Sequence, residues 1–385
     1  MKTSKPRVLI VGGRDSGVDW PGREDFELFL VQEHAHVSPR QAEIASVVEV
    51  GDLSFVDSYL PVLKKLHHDL RFAGVVSFFE KGLLPAAEIG ELLDIPHNSR
   101  FSVETTRCKT DLRELLIGTS HEVPFALVRN DEAVRTFFRT HGCCIVKPVD
   151  GSGSVEIHKV ESERFSLPTL NREFLAEKFL EGAEYSVETF THDRRHRLLG
   201  VTKKYTTGAS NFVETGHDFP ADLPAEVQER IRDAVVWLLD RIGHVWGPCH
   251  TEVKVAEDGV HFIETQTRFG GDQIWEMVWR TTGVHLAAAT VCALARRPYL
   301  PSPVEFSAMA VRFPQLPAGT DAVRLRDTLE RQAFAIRAEL KEVNFGTPFL
   351  SSSRRHGYVM FGCRSDDRAE FRAAIERDFL LNCKE

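Results

Sequence analysis

The sequence predicts an α/β domain at the start of the chain and α+β structure after it. Two observations carry this. Over the first hundred residues, short β-rich runs alternate with segments of helical periodicity, the rhythm of βαβ units and of an open, largely parallel sheet. Beyond them strand signals follow one another closely. One pair, Thr251–Val255 and Val260–Thr265, is joined by Glu257-Asp258-Gly259, which marks a hairpin. At 385 residues the chain exceeds one ordinary core, so it is expected to divide into several domains.

The elements follow in order. Val8–Val11 is a strand stopped by Gly12-Gly13, and Ser46–Val50 and Gly74–Phe78 are two more. Phe55–Leu70 and Leu83–Leu93 carry apolar residues at helical spacing, the second ending before Pro96. A helix is expected over Val103–Ile117, a strand at Phe125–Leu127, a helix over Asp131–Arg139, and strands at Cys143–Val146 and Val155–Val160. Strand signals return at Phe174–Ala176, Tyr185–Phe190 and Leu198–Thr202. Pro224–Ile242 and Gly283–Arg296 read as helices on either side of the hairpin, and strand-like pieces recur at Met309–Val311 and Tyr358–Met360. The expected division is 1–100, 101–190, 191–304 and a C-terminal subdomain over 305–385, with no internal repeat.

Composition narrows the function. Apolar residues make up 42% and charged residues 27%, as in a soluble globular protein. The formal net charge of -8 argues against nucleic acid or an acidic membrane surface as the main partner. Met1–Arg7 is polar and basic and the apolar run behind it is short, so neither a signal peptide nor a membrane helix is expected. The seven scattered cysteines lack a Cys-x-x-Cys pair, which points to reduced thiols and a cytoplasmic location. Cys249-His250, His34-Ala35-His36 and His67-His68 have no second pair at zinc spacing and read as packing or surface residues.

Four segments carry candidate chemistry. Gly12-Gly13-Arg14-Asp15-Ser16-Gly17 lacks the Gly-x-Gly-x-x-Gly spacing of a dinucleotide site and reads as a turn. In the second, Lys147 ends a strand before Gly151-Ser152-Gly153-Ser154. There backbone N–H groups can approach phosphate oxygens while the lysine supplies a point charge, though the spacing is not that of a Walker A loop. In the third, Glu177-Lys178-Phe179-Leu180 is followed beyond Gly182 by Glu184, a strand-turn-strand that can read an adenine edge and hold a ribose diol. In the fourth, Glu252 and Glu264 sit on the two arms of the hairpin. Glu264, Gln266 and Arg268 are spaced by two and share a face. Carboxylates and an amide oxygen are hard ligands suited to Mg2+, and the arginine suits a phosphate or carboxylate. Gly270-Gly271 then lets the chain turn tightly under a ligand.

Taken in order, these segments resemble the ATP-grasp superfamily, in which an N-terminal α/β domain precedes two α+β lobes that clasp ATP. Lys109 and Arg113 resemble the Asp-Lys-x-x-x-Arg element, with Cys108 in place of the aspartate. The resemblance implies phosphate contacts from Lys109, Lys147 and the loop Gly151, Ser152, Gly153 and Ser154. It implies an adenine hinge at Glu177, Lys178 and Leu180, ribose at Glu184, and metal at Glu252, Glu264 and Gln266, where many members have asparagine. Two stretches are similar to the L-amino-acid ligase branch: Glu264-Thr-Gln-Thr-Arg268-Phe-Gly-Gly-Asp272-Gln-Ile274, and Glu214-Thr-Gly-His217-Asp-Phe-Pro220. By that resemblance Arg268 and His217 act at the acyl phosphate, and Glu80, Glu214, Gly270 and Gly271 lie near the substrates.

The activity so implied is ATP- and Mg2+-dependent amide formation through an acyl phosphate, with Mn2+ as an alternative metal. ADP and phosphate would be released, and an amino-acid carboxylate and an amine would be the substrates. A dipeptide or aminoacyl amide is the expected product. The alternatives are loading of an amino acid onto a carrier protein or larger metabolite, and an ATP-binding module without catalysis. No Ser/His/Asp or Cys/His nucleophile set is present. The resemblance leaves room for a homodimer. Phe269, Trp275 and Trp279 are expected to serve core packing more than substrate binding.

Overall fold

The computed structural model describes residues 4–149, 155–168, 172–208, 212–341, 345–346 and 351–382. Strands β1 (Arg7–Val11), β2 (Glu27–Glu33), β3 (Ser46–Val50) and β4 (Phe72–Val76) form a parallel sheet in the order β3-β2-β1-β4. Helices α1 (Pro39–Ile44), α2 (Val56–Leu70) and α3 (Leu83–Leu93) accompany it. Side chains alternate across β1. Leu9 and Val11 pack with Tyr59 and Leu63 of α2 and Ile89 of α3, while Val8 and Ile10 join a different core that includes Leu286 and Ala289 from much later in the chain. Both faces of this sheet are therefore covered, which explains why Leu28–Val31 in β2 is an unbroken apolar run without strand alternation.

A single helix over Val103–Ile117 does not form. The structure has α4 (Arg100–Arg107) and α5 (Lys109–Leu115), separated by Cys108 in an extended conformation at φ -95° and ψ 116°. A small antiparallel sheet follows, built from β5 (Phe125–Val128), β6 (Cys144–Pro148), β7 (His158–Val160) and β8 (Phe174–Lys178) in the order β5-β8-β6-β7. Helix α6 (Asp131–His141), capped by Asn130, buries Val134 and Phe137 against it.

The rest of the chain builds one eight-stranded sheet. Its strands are β9 (Ala183–His192), β10 (Arg195–Thr206), β11 (Glu214–Phe219), β12 (Trp246–Ala256), β13 (Gly259–Gln266), β14 (Ala308–Arg312), β15 (Ala335–Leu340) and β16 (Gly357–Cys363). They lie in the order β13-β12-β9-β10-β11-β14-β16-β15, all antiparallel, so the last three strands of the chain extend the sheet that carries the hairpin. Helix α7 (Ala225–Arg241) buries Ile231, Val235 and Leu238 with Val187, Val253 and Phe262.

Helices α8 (Ile274–Thr282) and α9 (Leu286–Leu294) follow the hairpin. Gly283 is not the start of a helix. At φ +75° it ends α8, and a Cβ there would meet the Ser302 carbonyl at 2.1 Å. Helices α10 (Ala322–Glu330) and α11 (Arg368–Asn382) complete the chain. No helix among the described residues is long and apolar enough to cross a membrane.

Candidate active site

A cleft open to solvent lies between the small sheet and the eight-stranded sheet. Lys147 comes from β6, Glu177 and Lys178 from β8, Lys204 from β10, Glu252 from β12 and Glu264 from β13, with Lys109 and Arg113 entering from α5. Sequence candidates Leu180, Glu184 and Glu214 also line it. The loop candidates Gly151, Ser152, Gly153 and Ser154 lie outside the described residues.

On the small-sheet side the cleft is organised by a buried charge group. Glu177 is an ion-pair partner of Lys147, and Arg113 donates to its other oxygen at 2.8 Å. Arg113 also donates to the Phe262 carbonyl on β13 at 2.7 Å, so one guanidinium joins the linker helix, the small sheet and the large sheet. Burial pushes the Glu177 carboxyl up, but Arg113 and Lys147 hold it down to about 2. Lys147 moves against its own charge. Burial, the largest influence, lowers its pKa; Glu177 raises it and the cations of Arg113 and Lys109 lower it again, so the net shift is downward. The wall thus carries one anion among three cations, a surplus of positive charge that favours phosphate. The Glu177 side chain belongs to this wall, engaged by Lys147 and Arg113.

On the opposite wall Lys204 is the organising residue, and sequence reasoning missed it. It is 8% exposed and ion-paired to Glu252, with Glu184 at 3.2 Å and Glu214 at 3.6 Å. Lys203-Lys204 in a strand looks like a solvated pair, and only the pairing of β10 between β9 and β11 turns Lys204 inward. Burial works against its charge, but the three carboxylates raise its pKa well above the usual range. Glu252 is held well below the usual carboxylate range despite burial, by Lys204 and by His250. His250 itself sits 2.6 Å from Glu188. Against burial, which lowers it, the two acids raise His250 to about 9.

Glu252 and Glu264 stand directly opposite in the β12–β13 register. Gln266 is 9% exposed, its Nε2 is 3.4 Å from Glu264, and its Oε1 is buried without a hydrogen-bond partner. Thr265, on the other face, bonds Thr251 at 2.8 Å inside the protein. Among the described residues no group of three or more His, Cys, Asp or Glu side chains forms a ready-made metal cage. Two facing carboxylates and an unengaged amide oxygen nonetheless fit Mg2+, which takes few protein ligands when phosphates and water complete its shell.

The remaining candidates are not among the residues that line this cleft. Glu80 follows β4 at the carboxyl end of the parallel sheet, where ligand sites of such sheets form. It accepts from Arg268 at 3.0 Å and from Arg107 at 2.9 Å. His217 on β11 is 1% exposed and lies 3.5 Å from Asp272. Gly270 is needed for packing, because a Cβ there would meet His250 Nδ1 at 2.8 Å, whereas above Gly271 the space is open. Phe269 stacks on Phe78, and Trp275 and Trp279 pack around His285; of these, Phe269 and Trp275 belong to the core.

Comparison with known proteins agrees with this architecture. Residues 166–276 match the ATP-grasp domain and residues 26–97 the ATP-grasp N-terminal domain. The L-amino acid ligase from Bacillus licheniformis superposes with a TM-score of 0.73 at 19% identity, covering 98% of both chains. A phosphoribosylglycinamide synthetase from Anaerococcus prevotii gives 0.71 at 14%, again over 98% of both. At these identities the likeness is one of fold. An uncharacterized protein y4rH from Sinorhizobium fredii is 24% identical over 283 residues, which span 68% of this chain and 58% of that relative.

Proposed function

We propose that this chain, a member of the ATP-grasp superfamily, is an ADP-forming ligase that joins an amino-acid carboxylate to an amine through an acyl phosphate. The observation that carries the reading is the charge layout of the cleft, with a cationic wall at Lys109, Lys147 and Arg113 facing the acids Glu252 and Glu264. A polyphosphate with its cation fits between two such walls.

Bound at Glu252 and Glu264, with Gln266 beside them, Mg2+ would supply charge neutralisation on the transferring phosphoryl group. Lys109 and Lys147 hold the phosphate chain. The buried pairing of Glu177 with Lys147 and Arg113 fixes where the Lys147 ammonium points. The backbone of Lys178 to Leu180 faces adenine, and Glu184 faces ribose. A carboxylate oxygen of the first substrate attacks the γ-phosphorus, and the bond to the bridging oxygen breaks, so ADP leaves with the electron pair. The amine nitrogen of the second substrate then attacks the acyl carbon, the carbon–oxygen bond to phosphate breaks, and nitrogen loses a proton. Arg268, steered by Glu80, stabilises the oxyanion of that step, and His217 lies near the same centre.

Phosphate release from ATP and Mg2+ in the presence of pairs of L-amino acids, with Glu264→Ala as control, tests this. Release that needs two amino acids, gives the mass of the dipeptide and disappears in Glu264→Ala is expected. ATP binding without stimulation by any pair would replace free amino acids by a carrier-bound or larger substrate. No ATP binding at all would remove the ligase reading.

A further inference from the structure

One buried guanidinium lies outside the nucleotide cleft and outside every role given so far. Arg355 stands just before β16, in the C-terminal part of the chain, and is 4% exposed. Its Nη2 donates to both Asp272 oxygens at 2.7 Å, and its Nε donates to the Ser352 carbonyl at 2.9 Å. Its face lies 3.9 Å from the centre of the Phe313 ring. Among the described residues its buried Nη1 has no hydrogen-bond partner. Beside it, the ring nitrogens of His217 are also buried and have no hydrogen-bond partner among the described residues, with Asp272 3.5 Å from Nε2.

Leaving a charged donor unmatched in the interior is costly, so such an atom points to a group that arrives from outside. The Asp272 side chain is 30% exposed, and the space above neighbouring Gly271 is open. Asp272 neutralises the Arg355 charge, but the Nη1 edge of the guanidinium still presents donors with nothing to accept them, and the His217 imidazole beside it can add one N–H. A planar anion matches that set.

We propose that Arg355 anchors the α-carboxylate of the amino acid that supplies the amine. This rests on the ligase reading above and deepens it. If both substrates are amino acids, the enzyme must tell two carboxylates apart, since only one is to be phosphorylated. The activated carboxylate belongs beside Arg268 and the phosphates. Among the described residues Arg355 reaches the nucleotide cleft through Ser352, whose hydroxyl donates to Glu214 at 2.9 Å. A carboxylate held at Arg355 is kept from the γ-phosphate while its amine remains near the acyl carbon. The C-terminal segment thereby completes the site.

The test is calorimetric titration of each L-amino acid and its amide into the protein held with a non-hydrolysable ATP analogue and Mg2+. At least one amino acid is expected to bind wild type about tenfold or more tighter than its amide. Arg355→Gln is expected to weaken that amino acid about 30-fold or more and leave the amide unchanged, with Arg355→Lys in between. The double variant Arg355→Gln/Asp272→Asn, which leaves no unpaired buried carboxylate, is expected to behave like the single one. Equal weakening of acid and amide, or undiminished acid binding in Arg355→Gln, overturns the anchor. So does a wild type that binds no amino acid, although phosphate release with another carboxylate and amine would then keep the ligase reading. Acid-selective binding that depends on Arg355, without any ADP formed, would retain the anchor and sink the ligase.

Discussion

Replacing Glu177 by glutamine removes the anion that Lys147 and Arg113 share and leaves both cations buried. Its carboxyl is held at about 2 in place of 4.5. At ~1.36 kcal/mol for each tenfold change in proton affinity, that is worth roughly 3 kcal/mol at neutral pH. Breaking a buried pair by deleting one partner costs about 3–5 kcal/mol, the same range. The sign follows from the lowered value: the contribution is complete above 4.5 and is lost as pH falls toward about 2. Urea unfolding followed by circular dichroism at pH 7 is expected to show a loss of about 3 kcal/mol in Glu177→Gln. Between pH 5 and pH 3 the variant should lose less stability than wild type. Calorimetry with a non-hydrolysable ATP analogue should show weakened binding, because the Lys147 ammonium is no longer aimed. A loss below about 1 kcal/mol, at the level of an exposed pair, would refute the reasoning.

Further outcomes are expected elsewhere. Cys108 precedes α5 without a side-chain cap, so Cys108→Asp should raise unfolding stability by about 0.5–1 kcal/mol, and no gain would mean that the α4–α5 break is held by packing alone. Lys204→Met leaves Glu184, Glu214 and Glu252 crowded around one point. It should cost about 3–5 kcal/mol without metal, and Mg2+ should raise its melting temperature more than that of wild type; equal shifts would contradict the charge layout. Burial lowers His244 from 6.5 to about 4. The unfolded chain therefore takes up a proton first as pH falls, and stability drops by about 2 kcal/mol from this group between pH 7 and pH 5. His244→Asn should lack that portion of the drop, and an unchanged pH profile would show that His244 is not the cause.

Elements whose periodicity is local were legible in the sequence. The strand at Val8–Val11, the helix ending at Leu70 and the Glu252–Glu264 hairpin all follow from residues near one another. Elements specified by distant neighbours were not. β11 reads Glu-Thr-Gly-His-Asp-Phe and has no strand alternation; β10 and β14 on its two sides make it a strand. α8 begins at Ile274 behind Gln273, an N-cap with φ +67° and no side-chain hydrogen bond, so it carries no start signal. The same division applies to the site. Glu252, Glu264 and Lys147 stand in motifs with readable spacing, and the cleft gathers them. Lys204, Glu188 with His250, and Arg355 with Asp272 are partners across 48, 62 and 83 residues, and no local pattern announces them.

The order of strands in the large sheet also bears on how the protein is made. β11 lies between β10 and β14, yet β14 begins at Ala308 and β16, which pairs with it, ends at Cys363. A chain emerging from the ribosome can close its four-stranded parallel sheet from residues 7 to 76 early. It must then hold β11 with an open edge until the last strands appear. An open edge invites pairing with other chains. Synthesis past β10 is therefore the interval in which a nascent chain most needs shielding, and a messenger cut short before Ala308 would yield an aggregating fragment and no smaller enzyme.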